Sequence, residues 1–89
     1  MNDLKTNRSK LDIIDKNMKE LFLQRMEIVK EIKEYKIKNN IEVTDNKREQ
    51  EMIFNLSKDI EIEYKDFYID FLKSVINISK EYQKKDTLN

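Results

Sequence analysis

An all-α fold of three helices, one long and two shorter, follows from three observations. The 89 residues contain no glycine and no proline, so the residues that most often break helices and punctuate turns are missing. Apolar residues recur in steps of three and four along "MKELFLQRMEIVKEIKEYK", Met18 to Lys36, which is the spacing of one helix face. Charged residues make up 40% of the chain, with 18 of each sign. They are interspersed as on a solvated helical surface, not gathered in a block. So high a charge content raises the question of disorder. The periodic apolar residues, with four tyrosines and four phenylalanines spread along the chain, argue against it.

The first helix is expected from about residue 4 to 38. Its seam reads Leu11, Ile14, Met18, Leu21, Arg25, Ile28, Ile32, Tyr35. "NN" at Asn39 and Asn40 ends it, because asparagine tolerates the left-handed conformation that caps helices when glycine is absent. After a short connection, Thr44 or Asp45 serves as N-cap of a second helix, about 45–58, with Asp45 and Glu49 favoured at its start. This helix turns Met52, Leu56 and Ile53 inward and weakens near "SKD". "DIEIEY" alternates as a strand would, but it has nothing to pair with. The third helix spans about 62–84, with Tyr64, Phe67, Tyr68, Phe71, Leu72, Val75, Ile76 and Tyr82 on a broad apolar face.

Length decides the assembly. About 35 helical residues extend roughly 50 Å, whereas a compact chain of this size has a diameter near 30 Å. The first helix therefore overhangs its two partners, and its apolar seam continues along the overhang. A second copy of the chain is the simplest cover. The expectation is an intertwined helical homodimer, each chain a single domain over residues 1–89.

Composition excludes much chemistry. There is no histidine and no cysteine, which removes the usual general base, thiolate nucleophiles, disulfides and zinc-thiolate sites. Formal net charge is zero, so neither a nucleic acid nor an anionic membrane is an expected partner. No apolar run approaches a membrane span, and "MNDLKTNRSK" does not read as a signal peptide. A soluble, cytoplasmic protein is expected.

Polar residues occupy positions that should be apolar. Arg25 interrupts the first seam, and Lys36, eleven residues on, shares its face within about 20°. Asp45, Arg48 and Glu49 lie at i, i+3 and i+4, one face again. Ser79 and Gln83 are i and i+4, on the side of Val75 and Ile76. Taken singly, such residues commonly snorkel, cap or pair. Taken together they describe a costly core unless an anion arrives from outside. Small dicarboxylates suit such a cavity, since arginine grips carboxylates with two parallel hydrogen bonds.

These residues carry a resemblance. Over about Asn7 to Lys84, "NRSKLDIID", "LFLQRMEIVKEIKEYK", "VTDNKRE" and "ISKEYQ" resemble the all-helical, intertwined-dimer type of chorismate mutase. The family spacing runs from an early Arg through a mid-helix Arg, a Lys eleven later and an Asp nine beyond, to an "RE" and a final Ser and Gln four apart. One departure is the connection "IEVTD", where many members have a proline. The resemblance implies that Arg25, Arg48 and Ser79 bind and orient substrate carboxylates. It implies that Lys36 and Gln83 meet the ether oxygen, with Arg25 beside them in the catalytic set. Glu49 would accept the ring hydroxyl, with Asp45 nearby, and Arg8 would reach in from the other subunit as a carboxylate clamp. The helix geometry agrees on Arg8, which lies about 100° round from Arg25.

The implied reaction, chorismate to prephenate in phenylalanine and tyrosine biosynthesis, suits the composition. It is unimolecular and calls for no metal, no cofactor and no nucleophile. Two rivals remain. Relatives of this architecture eliminate pyruvate from isochorismate to give salicylate. A non-enzymatic helical dimerisation module would use its inward polar residues to set register.

Overall fold

The computed structural model describes residues 3–85. They form α1 (Leu4–Lys38), α2 (Asn46–Ser57) and α3 (Ile62–Lys84), with no strand among the described residues. "DIEIEY" enters α3 after a turn in which Ile60 N–H donates to the Ser57 carbonyl at 3.1 Å.

The helix ends follow from local chemistry. Asp3 caps α1, its Oδ1 accepting from Thr6 N–H at 2.7 Å, and that bond holds the Asp3 carboxyl below its ordinary range. At the other end Asn40 takes a left-handed φ of 55°. Ile41 N–H then returns to the Lys36 carbonyl at 2.9 Å and Asn40 N–H to that of Ile37 at 3.4 Å, the paired bonds of a Schellman turn made without glycine. Asp45 caps α2 through Arg48 N–H at 3.0 Å. In the last turn of α2, Ser57 is buried and its hydroxyl donates to the Ile53 carbonyl at 2.6 Å.

α3 packs against both other helices. Its buried residues, Leu72, Ile76, Ser79 and Gln83, recur at i, i+4, i+7 and i+11, one narrow stripe. Lys33 ties α1 to the far end of α3. Its ammonium donates to the Lys85 carbonyl at 2.6 Å and lies 5.0 Å from the centre of the Tyr82 ring, within cation–π range.

Several expected burials differ. On α1 the buried residue is Val29, while Ile28 and Tyr35 are exposed. From Arg25 a step of four turns about 40° one way and a step of three about 60° the other, and α3 packs on the Val29 side. Leu56 of α2 and Tyr64, Phe67 and Phe71 of α3 are exposed rather than inward. The reason is shared: each helix has only one or two neighbours in the chain, so a broad apolar face is covered along one edge alone.

The chain is elongated, 56 × 26 × 17 Å, with a radius of gyration of 16.6 Å against about 12 Å for a compact chain of this length. The excess is the N-terminal half of α1. There Leu11, Ile14, Met18, Leu21 and Phe22 form an apolar stripe that none of the described residues covers. Among the described residues only Val29, Leu72 and Ile76 are buried hydrophobic side chains. That core is small against the entropy of ordering so many residues.

Candidate active site

A cavity of about 160 Å³ lies where the C-terminal half of α1, the α1–α2 connection, the start of α2 and the end of α3 converge. The sequence disperses its lining over nearly sixty residues, and each element contributes for a local reason. α1 supplies Arg25 and Lys36 from one face, three turns apart, with Val29 and Ile32 between them. The connection supplies Val43. The first turns of α2 supply Asp45, Arg48, Glu49 and Met52, and the buried stripe of α3 supplies Ile76, Ser79 and Gln83, with Lys80 beside them.

Of the eight residues expected from sequence, seven line this cavity: Arg25, Lys36, Asp45, Arg48, Glu49, Ser79 and Gln83. Arg8 does not. It is exposed on the overhanging half of α1, seventeen residues and so roughly 25 Å along the axis from Arg25.

Lys36 is partly buried, and its Nζ donates to the Val43 carbonyl at 2.9 Å. The Schellman turn below it draws the connection back so that this carbonyl comes within reach. Asp45 both caps α2 and faces the cavity, so one of its oxygens is committed to the backbone. Glu49 pairs with Lys80, Oε1 to Nζ, at 3.2 Å. Among the described residues, the guanidinium groups of Arg25 and Arg48 have no hydrogen-bond or ion-pair partner.

Gln83 is the most deeply buried polar side chain of the lining, 6% exposed. Its Nε2 donates to Ser79 Oγ at 3.1 Å, and its Oε1 has no partner among the described residues. A buried acceptor without a donor is costly. An amide has two orientations and a serine hydroxyl can give or receive. With the amide turned over, Ser79 donates to Oε1 and the NH2 group takes the buried, unpartnered position. Either way Ser79 holds one edge of the amide and leaves the other without a partner.

Four cations, Arg25, Lys36, Arg48 and Lys80, stand against two carboxylates, Asp45 and Glu49, leaving the lining a net charge of +2. Lys80 was not among the residues expected from sequence. Its signal was present, since it stands four residues after Ile76 and three before Gln83, beside the buried stripe. Its partner Glu49 is 31 residues away, and no spacing rule joins them.

A family model described as chorismate mutase type II matches residues 7–84. No curated protein and no solved structure matches the chain.

Proposed function

The chain belongs to the chorismate mutase type II family, and from that premise we propose that it rearranges chorismate to prephenate as a homodimer. The observation that carries the reading is the cavity itself. Its net charge is +2, and two guanidinium groups in its lining lack partners among the described residues. Arginine meets carboxylates through two parallel hydrogen bonds, so a dicarboxylate suits this lining.

The reaction is a [3,3] rearrangement within one molecule. The ether C–O bond breaks, a C–C bond forms between the enolpyruvyl arm and the ring, and the double bonds shift. No atom leaves and no proton moves. The protein must do two things. Arg25 and Arg48 clamp carboxylates, which holds the flexible arm over the ring in a reactive chair-like geometry. Lys36 and the Gln83 amide then meet the negative charge that grows on the ether oxygen as its bond to carbon lengthens. Lys36 is pre-placed by a neutral carbonyl, which it can exchange for the developing oxyanion. Ser79 orients Gln83 and lies at hand for a carboxylate. Glu49 accepts the ring hydroxyl, and Asp45 holds the start of α2 in place.

The dimer belongs to the same proposal. The uncovered stripe on the N-terminal half of α1 needs a partner, and a second copy presents an identical stripe. In that arrangement Arg8 lies across the other chain's cavity and completes it as a further carboxylate clamp. No helix among the described residues is long and apolar enough to cross a membrane, and the proposed setting is cytoplasmic aromatic amino acid biosynthesis.

The decisive test is loss of chorismate absorbance on adding pure protein, with identification of the product. Prephenate is expected. Salicylate with pyruvate from isochorismate would replace this reading by the elimination. Absence of turnover and of binding would leave a helical dimerisation module.

A further inference from the structure

Lys80 follows Ser79 on α3, and its ammonium lies 3.2 Å from Glu49 Oε1 on α2, with the two side chains 26% and 20% exposed. Pairs on an open surface are screened and floppy. This one is mostly withdrawn from water and joins two helices. It also forms a partition. Glu49, Ile76 and Lys80 line both the cavity and a neighbouring groove of about 260 Å³. The bond at Oε1 restricts the rotation of the Glu49 carboxylate, and Oε2 has no hydrogen-bond partner among the described residues.

We propose that Lys80 is a positioning residue. Through Glu49 it fixes the direction from which the site accepts the ring hydroxyl of its dicarboxylate substrate. The inference rests on the proposed function, in which Glu49 meets that hydroxyl. A free carboxylate on a rotatable side chain would accept from several directions and would lose rotamer freedom on binding. Lys80 removes that freedom beforehand, so the effect falls on binding before it falls on the chemical step.

The test uses the full chain, with prephenate binding by calorimetry and chorismate turnover measured side by side. Lys80→Met is expected to weaken prephenate binding and raise KM up to about tenfold, the scale of ordering one rotamer-rich side chain, with kcat within about threefold of the parent. Lys80→Arg retains binding. In a Glu49→Gln background, Lys80→Met adds less than about twofold, because the carboxylate it acts through is gone. Lys80→Gln serves in its place should Lys80→Met fail to fold. The proposal is overturned if the neutral variants bind as the parent does. It is equally overturned if their loss persists beside Glu49→Gln, which would make Lys80 an independent cation. A parent protein that binds prephenate without turning over chorismate sinks the proposed reaction while the binding comparison still judges Lys80. If the parent binds no prephenate, both readings fall.

Discussion

At the scale of single residues, the site depends on where charge and hydrogen-bond donors stand before substrate arrives. Lys36→Ala removes the cation proposed to meet the breaking ether bond. Its expected cost is about 100-fold or more in kcat, the usual effect of losing one oxyanion-type contact. Near-parental turnover in a folded Lys36→Ala protein would refute the role. Gln83 can be tested by pH. The amide donates at every working pH, whereas a glutamic acid donates only while protonated. Gln83→Glu is therefore expected to hold activity in acid and lose it as pH rises and the introduced carboxyl ionises in the site. A flat pH–rate profile for the variant would show that Gln83 gives no hydrogen bond to the substrate.

At the scale of elements, the turn between α1 and α2 matters more than its length implies. Asn40 holds a left-handed φ of 55°, which lets Ile41 N–H bond the Lys36 carbonyl and brings the Val43 carbonyl to Lys36 Nζ. A β-branched residue cannot take that conformation cheaply. Asn40→Val is expected to cost about 1–2 kcal/mol of stability, and Asn40→Gly to be neutral or slightly stabilising. Urea denaturation of the two variants checks this. Equal stability would mean that the turn is held by something other than its backbone conformation.

At the scale of the whole molecule, α1 outruns the rest of its chain. If Arg8 completes the partner's cavity while Lys36 serves its own, Arg8→Ala and Lys36→Ala homodimers are each expected to be nearly inactive. Unfolding and refolding them together produces mixed dimers with one doubly altered site and one intact site. With random pairing, half the dimers are mixed and about a quarter of parental activity should return. Each variant refolded alone restores nothing. Mixed dimers shown to form without any gain would mean that Arg8 does not act across an interface.

What the sequence by itself determined is what depends on neighbours a few residues apart. The absence of glycine and proline, the cap at Asp45, the asparagine pair at 39–40 and the apolar periodicity are local signals, and α1, α2 and α3 follow from them. The shared face of Arg25 and Lys36, and the i, i+4 pairing of Ser79 with Gln83, are likewise fixed by helical periodicity. The convergence of polar residues from three helices on one cavity was expected only because polar residues stood on apolar faces and resembled a family pattern. Tertiary structure alone decided the rest. Val29 rather than Ile28 faces α3 because packing angle, not spacing, selects between two adjacent stripes on one helix. Leu56, Tyr64, Phe67 and Phe71 stay exposed because apolar character states what a residue favours, not whether a neighbour is there to cover it. Lys80 meets Glu49 because the crossing of α2 and α3 brings together residues that no periodicity relates, and so the pair that partitions the cavity becomes visible only once the helices are packed.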